Sequence, residues 1–343
     1  MSGRGAPDSY GLAQAATTFP ERLPDLLEAS RQALAGFSVP DVRAVAACGV
    51  GTGALAAEAV AALGASHVPV PFWVGHDGAV PAFVGPGTLF FALSASGAST
   101  ETTAAATEAA VRGATVVAVG GDPRSALARL AAEAGLPWCP RGETGARTLE
   151  ALGATVLPVL VSLAASGLAP DPATQIDAAV ARLGRRRDAF VGPDGGAALV
   201  ARRIGRTIPL VYGAEGVDAV AARWWKARVN LNAKAPAFAG AVPARTYDEL
   251  AGWGQGGDIT RQVMSLVLLR RDDEPAEPAR LFDAVSNECD EVMADLIEVR
   301  AGGDDLSRFF ELALLGELVS LVLAGNEGVD PGPVPGIDQA HVG

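Results

Sequence analysis

Short apolar runs bounded by Gly, Pro or Ser alternate along the chain with longer alanine-rich stretches of helical type. In the first half, the runs that predict strands are the start of "VRAVAACGVGTG", then "HVPVPFWV", "TLFFALS" and "ATVVAVGG". Helical stretches follow them, such as "TETTAAATEAAVRG", which ends on Gly113 as a C-cap, and "DPRSALARLAAEAG", which has Asp122 at the N-cap. Strands alternating with helices at this spacing predict βαβ units around a parallel sheet.

The same order recurs in the second half, with strands predicted in "TIPLVYG", "QVMSLVLLRR" and "LIEVRAG" and a helix after each. A helix near residues 147–166 and the polar break "SGLAPDPATQ" separate the halves, and another helix is expected over about residues 21–35. The acidic stretch "RRDDEPAEP" is interpreted as a solvated loop. We therefore predict an α/β protein of two domains, residues 1–165 and 172–343, each a mainly parallel sheet flanked by helices in an αβα sandwich.

Composition narrows the classes of function. With 49% apolar and 19% charged residues, the 343-residue chain can form two cores, and its net charge of −12 argues against a nucleic-acid partner. No apolar run reaches the roughly 18 residues of a membrane span, and the N-terminus lacks the pattern of a secretory leader, so a cytoplasmic protein is expected. Three cysteines without CxxC spacing predict neither a disulfide framework nor a metal site, and no cofactor is implied.

A cluster of hydroxyl side chains, "SASGASTET", lies between a predicted strand and a predicted helix. This segment, residues 94–102, is called the serine loop here, and it contains Ser94, Ser96, Ser99, Thr100 and Thr102 around Gly97. Ligands of an open parallel sheet bind at the carboxyl ends of its strands, where helix N-termini present N–H groups. Hydroxyls add donors without charge, so the pattern favours a phosphate site. The alternative is that these hydroxyls, with Glu101, only cap the helix.

A glycine-rich turn follows the first strand. This glycine turn, "CGVGTG" at residues 48–53, lacks the full GxGxxG pattern because Ala56 occupies the last place, and it has no P-loop lysine. We interpret it as a wall along which a sugar lies, with Gly51, Thr52 and Gly53 close to the ligand. A plain tight turn is the alternative.

Arginine occurs 25 times but lysine only twice, and both lysines, Lys226 and Lys234, lie in "KARVNLNAK". This stretch and the following "VPARTYDELAGW" resemble the segment K-x-x-x-N-E-N-A-K, then L-P-x-x-x-H-N-x-x-x-G, of bifunctional phosphoglucose/phosphomannose isomerases. The glycine turn and the serine loop resemble the sugar isomerase (SIS) domain, of which those enzymes contain two. The tail "GVDPGPVPGIDQAH" is similar to their ending, so the resemblance extends in order over roughly residues 40–341.

The resemblance implies a small-molecule sugar-phosphate ligand, a role in carbohydrate metabolism and a homodimer. The residues that it assigns to substrate binding are Ser94, Ser96, Gly97, Ser99 and Thr102, beside Gly51, Thr52 and Gly53. It also implies that Arg147, in "TGARTLEA", corresponds to the arginine that steadies the enediolate in active members. Lys226 and Lys234 match two lysines of the family.

Three positions that carry the chemistry of the family differ in this sequence. Leu231 occupies the position of the family's glutamate, which moves the proton. Tyr247 occupies the position of the histidine that helps to open the ring, and His341 occupies that of the C-terminal lysine. Leucine accepts no proton, and losing a general base costs about 10²- to 10⁴-fold in rate. The differences predict a protein that binds a hexose 6-phosphate without the usual catalytic base, and so a regulator or pseudoenzyme.

The alternative is an active aldose-ketose isomerase with a relocated base. It would convert glucose 6-phosphate or mannose 6-phosphate to fructose 6-phosphate, or act on a related sugar. Asp248, Glu249 and Glu215 are carboxylates near the matched motifs, although solvent exposure or helix capping is their plainer interpretation. A third possibility is a structural partner of another sugar-nucleotide enzyme. Trp224 and Trp225 are expected to pack in a core or an interface.

Overall fold

The computed structural model describes residues 7–142, 145, 147–253 and 256–334. The chain divides into two compact units, Thr18–Val180, called the N-terminal unit, and Ala181–Gly343 with Met1–Thr17, called the C-terminal unit. Each unit has one sheet, and all strand pairs are parallel, so the predicted α/β class is confirmed. No helix in the described ranges is long and apolar enough to cross a bilayer.

The N-terminal unit follows the predicted alternation of strands and helices. Its elements, after the start of the first helix, are α1 (Leu12–Ala33), β1 (Ala44–Gly49), α2 (Thr52–Gly64), β2 (Phe72–Gly75), β3 (Thr88–Leu93), α3 (Thr100–Val111), β4 (Thr115–Val119), α4 (Ala126–Ala134), β5 (Trp138–Cys139) and α5 (Leu149–Ala165). The five strands lie in the order β2-β1-β3-β4-β5. All of β3 and nearly all of β1 are buried, as continuous apolar runs predict for a sheet covered on both faces.

Polar residues fix where the helices of this unit begin. Ser99, Ser125 and Thr148 are the N-caps of α3, α4 and α5, and each hydroxyl accepts a hydrogen bond from the N–H three residues later. The first helix begins at Leu12, earlier than the predicted residue 21. These caps place the N-termini of α3 and α4 directly after strands β3 and β4, where a ligand site is expected.

The C-terminal unit repeats the same plan with a four-stranded sheet. Its elements are the end of α6 (Ala173–Phe190), α7 (Gly196–Ile204), β6 (Ile208–Ala214), α8 (Val217–Arg228), a π-helical turn (Val229–Ala233), β7 (Phe238–Val242), α9 (Ala244–Asp248), α10 (Leu250–Trp253), α11 (Gly257–Val263), β8 (Met264–Arg271), α12 (Ala276–Cys289), β9 (Asp295–Ala301) and α13 (Asp305–Asn326). The order β7-β6-β8-β9 matches that of the first four strands of the other sheet. Trp224 and Trp225 are fully buried, and their indole N–H groups donate to carbonyls of α13, so the prediction of a packing role is confirmed.

The sequence patterns miss several elements and misjudge one loop. Helix α6 begins inside the predicted polar break and continues across the division between the units at residue 180. Strand β7 is missed because it lies at an edge and consists of small or half-exposed residues. The prediction that "RRDDEPAEP" is solvated is wrong for two of its residues, since the side chains of Arg270 and Glu274 are each only 5% exposed and are paired at 2.6 Å. Their mutual ion pair makes that burial possible.

Candidate functional site

The glycine turn and the serine loop lie side by side at the carboxyl edge of the N-terminal sheet. Gly49 and Leu93, the last residues of β1 and β3, are paired in register. A Cβ atom on Gly53 would stand 2.1 Å from the carbonyl oxygen of Leu93, closer than any side chain tolerates. The two segments therefore meet backbone to backbone, and glycine at position 53 is required for their contact.

The first turn of α2 places the other predicted residues of the glycine turn. Gly51 is the N-cap of α2 and has a φ of +58°, a conformation that favours glycine. Thr52 is the first helical residue and is 8% exposed. These two residues thus stand at a helix N-terminus that lies beside the end of β3.

The serine loop folds back against the start of α4. Gly97 has a φ of +69°, and a Cβ atom there would stand 2.4 Å from Oγ of Ser125. The N–H group of Gly97 donates to the carbonyl of Ser94 at 2.9 Å, and its own carbonyl accepts from the N–H group of Leu127 at 3.1 Å. These bonds fix the loop without help from a ligand.

The backbone groups of the serine loop are satisfied unevenly. The carbonyl groups of residues 94, 95 and 97 all accept hydrogen bonds from N–H groups of the protein. By contrast, the N–H groups of Ser96, Ser99 and Thr100 donate to no acceptor within the described residues. The hydroxyl of Ser94, a residue only 3% exposed, also has no hydrogen-bond partner in this part of the chain. Unpaired donors at a helix N-terminus are the surroundings that an anion prefers.

The remaining hydroxyls are used within the loop. The Ser99 hydroxyl accepts from the Thr102 N–H group at 3.2 Å and from the Thr102 hydroxyl at 3.0 Å. Thr102 is fully buried, so it supports Ser99 instead of facing solvent. The exposed Ser96 accepts from the N–H group of Ala98 at 3.2 Å. Helix capping and anion binding are therefore compatible uses of this loop, because capping employs Ser99 as an acceptor and leaves its N–H group unpaired.

The loop also contains a carboxylate that the sequence interpretation treats only as a helix-capping residue. Glu101 accepts hydrogen bonds from the hydroxyls of Ser99 at 2.9 Å and Thr100 at 3.3 Å. The pKa of the nearby Cys48 thiol is raised to about 11, mainly by burial, and the negative charges of Asp77 and Glu101 contribute to the shift. Glu101 thus lies close enough to Cys48, the first residue of the glycine turn, for its charge to affect the thiol.

Arg141, which the sequence patterns do not single out, holds the serine loop in place through hydrogen bonds. Its side-chain Nε–H group donates to the carbonyl of Ala95 at 2.5 Å, and its backbone N–H group donates to the carbonyl of Gly121 at 3.2 Å. Burial lowers the pKa of Arg141, and the charges of Asp122 and Glu150 oppose that shift. No local pattern in the sequence indicates this role, because it depends on how the segment after β5 returns to the sheet.

Arg147, the arginine that the family resemblance implies, directly precedes the N-cap of α5, Thr148. Glu150, in the first turn of α5, is close enough to Arg141 to affect its pKa. The first turn of α5 therefore lies at the same edge of the N-terminal sheet as the serine loop.

The segment "NLNAK" in the C-terminal unit is a structural turn in which the polar side chains are already engaged. Asn230 donates to the carbonyl of Ala235 at 2.8 Å, and Asn232 donates to Glu317 at 3.2 Å. Lys234, at a φ of +54°, donates to the carbonyls of Leu231 and Pro331. These contacts give the segment a structural use that does not require a glutamate at position 231.

The segment after β7 places Tyr247 on the surface, with 86% of the residue exposed. The neighbouring carboxylates are paired: Arg245 lies 2.9 Å from Asp248 and 3.0 Å from Glu249. Glu249 also accepts a hydrogen bond from the hydroxyl of buried Tyr212. The pKa of Tyr212 is raised by burial and by that hydrogen bond. Two of the three carboxylates weighed as replacement bases are thus held by other side chains.

Glu215 differs from those two carboxylates. It is exposed directly after β6, and its side chain has no hydrogen bond or ion pair with any residue that the structure describes. Lys226 is exposed on α8. His341, at the family's C-terminal lysine, lies outside the described residues.

Comparison with known protein families agrees with the motifs. Residues 194–341 match the family described as "Bacterial phospho-glucose isomerase C-terminal SIS domain". Over 326 residues, which are 93% of this chain and 94% of the relative, the sequence is 26% identical to the bifunctional phosphoglucose/phosphomannose isomerase of Caldicellulosiruptor bescii. The enzyme of the same name from Aquifex aeolicus is 28% identical over 41% of this chain and 43% of the relative. The predicted resemblance is therefore confirmed.

Solved structures show that the fold is of the SIS type. The glucosamine-6-phosphate deaminase of Thermotoga maritima has a TM-score of 0.70 at 14% identity, covering 94% of this chain and 97% of that one. A putative tagatose-6-phosphate ketose/aldose isomerase of Clostridium novyi has a TM-score of 0.71 at 14% identity, and the match covers 96% of this chain and 92% of that one. The chain thus contains two SIS-type domains, each a parallel sheet flanked by helices.

Proposed function

Because this chain is a divergent relative of the bifunctional phosphoglucose/phosphomannose isomerases, we propose that it binds a sugar phosphate of the hexose 6-phosphate class at the serine loop. The observation that carries the proposal is the set of N–H donors of Ser96, Ser99 and Thr100, beside the hydroxyl of Ser94, that find no acceptor or partner among the residues described. The N-terminus of α3 adds the positive end of a helix dipole. Gly51, Thr52 and Gly53 then line the path of the sugar.

In this proposal the protein is a regulator or pseudoenzyme without the proton transfer of the family. Leu231 has no group that takes a proton, and its neighbours in "NLNAK" are engaged in structural contacts. Asp248 and Glu249 both pair with Arg245, so neither carboxylate is held ready for a substrate proton in this structure. A homodimer in the cytoplasm, as the resemblance implies, belongs to the same proposal and is checked by light scattering and cell fractionation.

One observation favours the second candidate, an active aldose-ketose isomerase. Glu215 is an exposed carboxylate at the carboxyl end of β6, without a side-chain partner in the described ranges. A general base must reach the proton that it abstracts, and a carboxylate that no other side chain holds is open to a substrate. In this alternative, Glu215 takes the part of the missing glutamate and Arg147 steadies the enediolate.

Isotope exchange separates the two candidates. The protein at high concentration is incubated with fructose 6-phosphate in deuterated water, and deuterium at the sugar carbons is followed by NMR. A binding protein without a base gives no incorporation above the buffer control. Incorporation that is lost in Glu215→Gln but retained in the matched surface variant Glu277→Gln establishes the isomerase instead.

A further inference from the structure

Glu101 is the only carboxylate of the serine loop, and it accepts hydrogen bonds from two loop hydroxyls that lie beside the unpaired N–H groups. Its Oε2 atom accepts from the Ser99 hydroxyl at 2.9 Å and from the Thr100 hydroxyl at 3.3 Å. A hydroxyl has a single proton to donate. While Ser99 gives that proton to Glu101, its hydroxyl is not a donor to any ligand.

The other bonds of Ser99 make this competition strict. The same oxygen already accepts hydrogen bonds from the N–H group and the hydroxyl of Thr102. Its two acceptor positions are therefore occupied, and its proton is the one group left for a ligand. A phosphate ester that is to accept a hydrogen bond from the Ser99 hydroxyl, and not only from its backbone N–H group, must take this proton from Glu101.

The negative charge of Glu101, like its hydrogen bonds, opposes the binding of an anion at the loop. A carboxylate within hydrogen-bond distance of two loop hydroxyls lies close to any dianion that contacts them, and like charges repel more strongly at a partly desolvated site.

We propose that Glu101 is a specificity-determining residue that occupies the anion site of the free protein and must be displaced by the ligand. This inference rests on the proposed function of the serine loop. It implies a threshold: an anion with two negative charges and several acceptor oxygens displaces the carboxylate, whereas a weaker anion or an uncharged sugar does not.

The test is calorimetric titration of the full-length protein with fructose 6-phosphate, inorganic phosphate and uncharged fructose. Glu101→Gln keeps the shape and an acceptor oxygen but removes the charge. It is expected to raise the affinity for both phosphate ligands by at least about tenfold, the effect of one like charge on a dianion about 6 Å away at the dielectric constant of water, about 80. Fructose is expected to show no gain.

Glu108→Gln is the matched control, because it makes the same change of net charge on the same helix. Glu108 is exposed and pairs with Arg112, away from the loop. It is expected to leave both affinities within about twofold of the wild type, as for a screened surface charge. An equal gain in both variants attributes the effect to overall charge and overturns the inference.

The titrations of wild type and Glu101→Gln distinguish a wrong role for Glu101 from a wrong ligand for the serine loop. Equal, measurable binding of fructose 6-phosphate by wild type and Glu101→Gln overturns the inference alone. Binding by neither protein, with both folded by circular dichroism, overturns the inference and the proposed function together. Binding by Glu101→Gln only, or more tightly by it, supports both.

Discussion

At the carboxyl edges of the two sheets, the same backbone features recur in the same order. A glycine with positive φ precedes the helix after the first strand, Gly51 before α2 and Gly216 before α8. A Gly-Gly-Asp sequence follows the fourth strand, at residues 120–122 and 302–304. The segments between them differ: hydroxyls follow β3, and the acidic residues 272–274 follow β8.

The two edges satisfy their polar groups by different means. In the C-terminal unit, fully buried Asp218 in the first turn of α8 lies 2.8 Å from Arg271 and 2.7 Å from Arg308. In the N-terminal unit, backbone donors and a hydroxyl of the serine loop have no partner among the residues that the structure describes. If the proposed function is right, the same backbone plan makes a ligand site at one edge and not at the other. What matters is whether the protein supplies the counter-charge itself.

Removal of Asp218 tests the closed edge and has the largest expected effect. Asp218→Ala leaves Arg308, whose side chain is 3% exposed, without its buried partner. Loss of one partner of a buried pair costs about 3–5 kcal/mol of unfolding free energy. Urea unfolding followed by tryptophan fluorescence measures it.

The control for this change is Asp305→Ala, which removes the half-exposed partner of the same arginine. It is expected to cost no more than about 1 kcal/mol, the range of exposed ion pairs. A loss for Asp218→Ala as small as that of the control contradicts the view that this edge is closed by its own charges.

Removal of the serine-loop hydroxyls tests the open edge. Fructose 6-phosphate at about 100 times its dissociation constant adds roughly 2.7 kcal/mol to the stability of a protein that binds it. The double variant Ser96→Ala, Ser99→Ala is expected to lose part of this gain in a thermal-shift measurement, because the N–H donors remain, and without ligand to lose about 1 kcal/mol from the missing N-cap.

Asp304→Ala provides the matched cap control, because Asp304 caps α13 in the other unit. It is expected to lower the melting temperature without ligand but to keep the ligand-induced shift. If the serine double variant behaves like this control, the hydroxyls are caps and nothing more.

The smallest expected effect concerns an exposed pair in the charge-rich C-terminal unit. Hydrogen bonds from Arg203 hold the pKa of Asp295 below its ordinary value. A carboxylate with a lowered pKa in the folded state stabilises the protein above its unfolded pKa, and this stability is lost as the pH falls through the folded pKa. Arg203→Met is therefore expected to cost at most about 1 kcal/mol at pH 7 and nothing in strong acid.

Arg202→Met on the same helix is the control, because Arg202 lies 3.8 Å from an almost fully exposed Asp194. Its unfolding free energy should show the pH dependence of the wild type. A loss in Arg203→Met that persists unchanged below pH 3 would assign the effect to packing instead of charge.

The sequence predicts the fold well because strands such as "TLFFAL" and "PLVYG" are continuous apolar runs between clear turns. It predicts the loops of the site because five hydroxyls and Gly97 are concentrated in nine residues. It misses Arg141 and the engaged state of Glu249, because those contacts join residues that are distant in the chain. It treats Glu101 only as a helix residue, since the competition for the Ser99 proton depends on side-chain geometry.

A crystal structure with fructose 6-phosphate, grown without sulfate or phosphate, tests the central claim most directly. The account predicts the ester phosphate within hydrogen-bond distance of the N–H groups of Ser96, Ser99 and Thr100, with Glu101 turned away from Ser99. Electron density for the ligand elsewhere, with the serine loop empty and Glu101 still bonded to Ser99, would contradict it.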